Sequence, residues 1–216
     1  MTSAKEVPRG GVGDIPNPTS MQYFHALPDG WSSFPTCLAS AAFLVGLRER
    51  GAVADDALPK QLRHVLHEYG GDEEWLPEVV HVAAMIAVRD ACFGHGPEAD
   101  AEFLEWTTQL NRELFSNPRY AAALSCASPR DLVPRLPAIW STFHRGSTFS
   151  VTVDEANHAT CLLEHPRLLF TRLSLESHRR ALAVLLAKAG AAKLQVTTAT
   201  EVTGDHCLTT IDATWG

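Results

Sequence analysis

Two histidines three residues apart, His64 and His67, stand beside Glu68 and are the first residues whose spacing admits a metal. On a helix, positions i and i+3 are neighbours, so both rings could reach one ion. A tetrahedral zinc needs further ligands, for which His81 and Cys92 are the candidates. No spacing in the chain requires that grouping, and a solvent-facing amphipathic helix explains it as well, so zinc is disfavoured. His144 and Arg145 form a second pair. They offer either an anion or general-base site, or the cationic end that suits a helix C-terminus. Cys126, in Leu-Ser-Cys-Ala-Ser-Pro-Arg, precedes a helix start, and a helix N-terminus activates a thiol. No Gly-x-Cys-x-Gly elbow surrounds it, and no histidine partner is fixed by sequence. Asp72, Glu73 and Glu74 are consecutive, so they cannot all face one site. A helix N-terminus rich in acidic charge is their expected role. The dinucleotide, phosphate-loop, nucleophile-elbow and zinc-protease motifs are absent, and Gly10 to Gly13 neither follows a strand nor opens a helix. No catalytic residue and no metal ligand is assigned.

The bulk of the chain narrows the classes that remain. It has 216 residues, 45% of them hydrophobic and 20% charged, and a net charge of −7. That is enough for one sizeable core or two small ones, and the acidic balance argues against a nucleic-acid partner. Five cysteines at wide spacings, with no Cys-x-x-Cys, do not form a secreted disulfide framework. The first residues hold no apolar signal segment, and no apolar run is long enough to span a bilayer. The expectation is a soluble cytoplasmic protein.

These residues must be positioned by two kinds of structure. Residues 1–30 are crowded with Pro8, Pro16, Pro18, Pro28 and glycines, and read as a flexible tail whose apolar stretch Met21 to Leu27 could clip onto the body. Residues 31–146 read as a helical block. Apolar spacing predicts helices at about Thr36 to Arg50, Ala57 to Tyr69, Leu76 to Phe93 and Ala99 to Phe115. Asn117-Pro118 and Ser128-Pro129 are further start signals, the second helix running to about His144 with irregularity at Pro134 and Pro137. After Arg145-Gly146 the apolar period changes to two. Residues 147–153, 158–164, 193–202 and 206–214 read as strands, and a helix over about 171–189 separates the pairs, with Leu182, Leu185, Leu186 and Ala189 as its buried stripe. The fold class is α+β: a helical block followed by a C-terminal ββαββ lobe (residues 147–216), both packed as one domain.

From about Trp31 to Trp215 the chain resembles a large paralogous family of uncharacterised myxobacterial proteins. The likeness lies in Cys37 to Gly51, in Glu73 to Phe93, in Ser128 to Val151 running into the sheet, and in a last strand closed by Trp215. That family looks distantly like the heme–nitric-oxide-binding (H-NOX) domains, the four-vinyl-reductase domains and the Bet3-like subunits of transport complexes. The resemblance implies a helical lobe and a small sheet that hold heme, a small hydrophobic ligand, an acyl chain or a partner protein between them. H-NOX domains use an axial histidine on the helix before the sheet and a Tyr-x-Ser-x-Arg clamp. Here the axial position falls near Pro137, with His144 about two turns later. No Tyr-x-Ser-x-Arg exists, since the tyrosines are Tyr23, Tyr69 and Tyr120. Heme is therefore disfavoured, and no cofactor is expected.

The resulting expectation is a non-catalytic sensory or adaptor module, dimeric as a homodimer. A small apolar ligand or a partner protein would sit between block and sheet, in a pocket drawing on Trp140, Phe143, His144, Arg145 and Phe149. The alternatives are an enzyme with a site at His144 and Arg145, and a scaffold subunit whose N-terminal segment is a docking arm.

Overall fold

The structure is a computed structural model that describes residues 17–42, 44, 59–68, 75–118, 125–155 and 157–216. Residues 1–16 of the expected tail, most of the helix expected over Thr36 to Arg50, the acidic run Asp72 to Glu74 and the segment 119–124 lie outside the described residues.

The architecture is α+β, with the helical block first and the sheet lobe last. Helix α1 (Ser20–Ala26) opens it, held by a capping box in which Thr19 accepts from the Gln22 backbone and the Gln22 side chain returns to Thr19. Its Tyr23 and Leu27 are buried in the core, and the Tyr23 hydroxyl donates to the Leu169 carbonyl at 2.7 Å. Of the expected tail, the stretch Met21 to Leu27 is the part that lies on the body, and residues 17–30 are ordered around it rather than flexible. The apolar stretch outweighs the flanking prolines, because it forms a helix of about two turns that buries an aromatic.

Strand β1 (Leu38–Ser40) lies where a helix start was expected. It forms the centre of a three-stranded antiparallel sheet with β2 (Trp75–Pro77) and β3 (His144–Arg145). Helix α2 (Lys60–Glu68) precedes β2. Directly after β2, helix α3 (Glu78–Cys92) runs through the middle of the molecule, and every residue from Glu78 to Arg89 is buried. Its run of Val, Ala, Met and Ile makes it apolar all round, as a central core helix requires. Helix α4 (Pro97–Leu114) starts at Gly96 with Pro97 in its first turn, and packs Phe103 and Leu104 inward.

Ser128 then caps the short α5 (Pro129–Leu132) by accepting from the Asp131 backbone. A 3-10 turn at Val133–Arg135 leads into α6 (Leu136–Phe143). The breaks fall at Pro134 and Pro137, whose rings cannot continue a regular ladder. The C-terminal lobe holds β4 (Thr148–Glu155), β5 (His158–Pro166), α7 (Arg172–Lys188), β6 (Gln195–Thr203) and β7 (His206–Thr214). Its four strands are antiparallel in the order β4-β5-β7-β6. Alternate residues Ala159 and Cys161 of β5 and Ile211 and Ala213 of β7 face inward, against Leu182, Leu185 and Leu186 of α7, while Leu163 of β5 joins the core around α3. Each such leucine contributes about 1.5–3 kcal/mol by leaving water. No helix among the described residues is long and apolar enough to cross a membrane.

Candidate functional site

The small sheet brings together residues far apart in sequence. Ala39 of β1 pairs with Leu76 on one side and His144 on the other. The Glu78 amide donates to the Cys37 carbonyl at 2.9 Å, which anchors the first turn of α3 against the same strand. Glu78 and His144 thereby meet across β1, with the carboxylate Oε2 3.0 Å from the imidazole Nδ1. Glu78 is 1% exposed. A carboxylate so deep needs a partner, and removing one member of such a pair leaves an uncompensated buried group. Gly146 makes the geometry possible. Its φ is +78°, and a Cβ there would lie 2.2 Å from the Thr36 carbonyl oxygen.

The next residue in the strand goes elsewhere. Successive side chains of a strand point to opposite faces, so Arg145 leaves the site and places its guanidinium 3.8 Å from the centre of the Trp75 ring. His144 and Arg145 do not converge. The cationic pair that adjacency in sequence offered is separated by the pleat, and Arg145 does not line the cavity described next.

A partly open cavity of about 130 Å³ lies between the helical block and the sheet lobe. Its wall is mostly apolar: Met85 of α3, Leu114 and Phe115 at the end of α4, Leu136, Ile139, Trp140 and Phe143 of α6, Phe149 of β4, Ala181, Leu182 and Leu185 of α7, and Ile211 of β7. Polar groups enter at Ser40, Asn111 and Ser177, and at three imidazoles: His81, His144 and His178. Trp140 organises this wall. It stacks on His144 at 4.0 Å and on Phe149 at 5.1 Å between ring centres, and its indole N–H donates to the Ser147 hydroxyl at 3.1 Å. Of the five residues expected to share a pocket, Trp140, Phe143, His144 and Phe149 line this cavity and Arg145 does not.

The histidines differ in their surroundings. Burial lowers the His81 imidazole to about 4, opposed in part by Glu78 and reinforced by His144. Burial also holds His178 well below the ordinary range, with His144, His81 and His165 pushing the same way. Both are neutral imidazoles at neutral pH. His178 packs edge-on against Trp140, His144 and Phe170, with ring centres 4.9–5.2 Å apart. Its Nδ1 has no hydrogen-bond partner among the described residues, and neither does Glu78 Oε1.

Glu78 and His178 carry the polar part of the site and went unsingled in the sequence. Both left a trace there. Glu78, His81 and Met85 recur at i, i+3 and i+7, one face of an otherwise apolar helix. His178 lies four residues before Leu182, on the buried stripe of α7.

The remaining candidates do not assemble. His64 is exposed on α2, Cys92 is exposed at the end of α3, and His81 is buried within it. No three His, Cys, Asp or Glu side chains among the described residues form a metal-holding group. Cys126 packs partly buried beside the core that holds Leu132 and Ile139. No disulfide forms, and burial pushes the Cys161 thiol up to about 12. A larger crevice of about 690 Å³ lies among the N-terminal segment, α4 and α7, lined by Arg89, Asp100, Glu176 and Arg180. These four side chains are already paired: Arg89 with Asp100, Arg180 with Glu105 and Glu176.

No protein-family model matches the chain. No curated protein matches it either. Solved structures do. An H-NOX domain used to probe heme distortion covers 81% of this chain and 92% of its own, with a TM-score of 0.53 at 7% identity. A structure addressing H-NOX activation covers 82% and 96%, with a TM-score of 0.53 at 8% identity. A point-mutant H-NOX domain from T. tengcongensis covers 81% and 94%, with a TM-score of 0.52 at 8% identity. The fold of this chain is similar to that of H-NOX domains.

Proposed function

We propose that this chain is a non-catalytic sensory module that holds a small apolar ligand in the cavity between helical block and sheet. The observation that carries this reading is the cavity itself: about 130 Å³, walled by aromatic and aliphatic side chains from both parts of the fold. A packed interior leaves few voids larger than a water molecule. An apolar cavity of roughly 150 Å³ takes benzene or xenon, so the ligand is about that size. The H-NOX-like fold supports a ligand chamber at this junction.

Heme does not fit the residues present. Drug-sized ligands occupy pockets of roughly 300–1,000 Å³, and a tetrapyrrole is larger than most of them. A cavity of about 130 Å³ holds a fraction of one. His144, the imidazole nearest the expected axial position, is held by Glu78 and stacked flat on Trp140.

The enzyme reading loses its basis in the divergence of His144 and Arg145. The docking-arm reading applies only ahead of Asn17, because Arg89 binds the Asn17 and Pro18 carbonyls and Tyr23 belongs to the core. The homodimer is tested by light scattering on the same sample.

The test is a thermal melt with benzene. Benzene should raise the midpoint of the wild type in a concentration-dependent way. Ala181→Phe, which places a ring in the cavity, should abolish the rise. No rise in the wild type overturns the reading, and so does a Soret band at one equivalent after incubation with hemin.

A further inference from the structure

Resting on the ligand-chamber reading, we infer that the ligand is a small aromatic bearing a hydroxyl, a phenol-like group whose O–H hydrogen-bonds to His178. Three observations converge on this class. The first is size: about 130 Å³, close to the roughly 150 Å³ that takes benzene, limits the ligand to a single six-membered ring with a small substituent at the cavity's open side. The second is the wall. Trp140, Phe143 and Phe149 line the cavity, with Trp140 and Phe149 stacked at 5.1 Å, and aromatic faces favour an offset or edge-on ring in the remaining space.

The third is an unpartnered polar atom in that wall. His144 is held at its Nδ1 by Glu78. His178 lines the same cavity, makes edge-on ring contacts to Trp140, His144 and Phe170, and leaves its Nδ1 without a hydrogen-bond partner among the described residues. A neutral imidazole has one donor and one acceptor nitrogen. Burial keeps His178 neutral, so one ring nitrogen donates and the other accepts, and a hydroxyl, which does both, satisfies Nδ1 in either tautomer. A buried polar atom without a partner is costly, and a ligand hydroxyl that reaches the ring relieves that cost. A charged ligand is disfavoured in the same place, since neither His81 nor His178 carries a charge to pair with it.

The experiment is a pair of calorimetric titrations, phenol and benzene, on the wild type, His178→Phe and His178→Gln. The wild type should hold phenol at least as tightly as benzene. In His178→Phe, phenol should weaken by about tenfold or more, the effect of leaving one hydroxyl unpaired, while benzene changes by less than about threefold. His178→Gln keeps a hydrogen-bonding group and should retain phenol. The wild type also supplies a readout that needs no variant to fold: phenol should shift the His178 ring-nitrogen NMR resonances, and benzene should leave them within the effect of ring currents. Benzene binding with phenol excluded, or equal phenol binding in wild type and His178→Phe, overturns the phenol assignment and leaves the ligand-chamber reading standing. Failure of both probes to bind the wild type overturns both.

Discussion

His81 makes this fold sensitive to acid, and its share can be worked out. The side chain lies inside α3, facing Glu78, His144 and the cavity, and is 8% exposed. Its pKa is lowered from 6.5 to about 4, first by burial and further by His144, against the opposing pull of Glu78. In the unfolded chain the imidazole titrates near its ordinary value of about 6.5. Above that pH both states are neutral and His81 contributes nothing to the pH dependence. Below it the unfolded chain takes up a proton that the folded chain refuses, so stability falls with falling pH. The linkage relation gives a loss of about 2 kcal/mol at pH 5 and about 3 kcal/mol at pH 4. His178 and His165 are depressed in the same direction and add to the total. The assay must therefore isolate His81. Urea unfolding at pH 7.5 and pH 5 on the wild type and on His81→Gln does so, since the variant keeps the other two histidines. The wild type should lose about 2 kcal/mol more than the variant between the two pH values. Equal losses would show that His81 is protonated in the folded protein and would refute the buried-neutral assignment.

Gly146→Ala should cost at least about 2 kcal/mol in urea unfolding, because φ is +78° and the new Cβ meets the Thr36 carbonyl at 2.2 Å. Arg89→Met should cost about 3–5 kcal/mol, leaving Asp100 and Asp90 without their cation and the Asn17 and Pro18 carbonyls without a donor. Adding Asp100→Leu should recover part of that loss, and a purely additive double variant would argue against the pair. Thr171→Ala removes the capping box of α7 and should lower stability by about 1–2 kcal/mol, read as a shift of the thermal midpoint without loss of fold.

The sheet lobe was legible because its strands are long enough to show their period. Phe149 and Val151 alternate over β4, and Thr209, Ile211 and Ala213 over β7, while Leu182, Leu185 and Leu186 mark the buried face of α7. The breaks at Pro134 and Pro137 were legible for a different reason, since proline acts on the backbone whatever surrounds it. The three-stranded sheet was not. Its strands have two or three residues, too short for any period, and Cys-Leu-Ala-Ser reads as helix until β2 and β3 arrive to pair with it. That one omission hid the Glu78–His144 pair, because β1 is what carries the start of α3 to the end of α6. It also hid the separation of His144 from Arg145, which follows from their alternation in β3. The aromatic part of the cavity wall was readable from the concentration of Trp140, Phe143 and Phe149 at the junction. The histidine part required knowing which helix faces meet, a tertiary fact that His178 alone does not disclose.

Xenon is a direct probe of the cavity at the junction of helical block and sheet. A crystal of the full chain pressurised with xenon should show one strong peak among Trp140, Phe149 and Leu182, and that peak should vanish in Ala181→Phe. A crystal with no xenon at that position, its space filled by repacked side chains or by a chain of ordered waters, would contradict the claim that this fold holds an apolar ligand chamber.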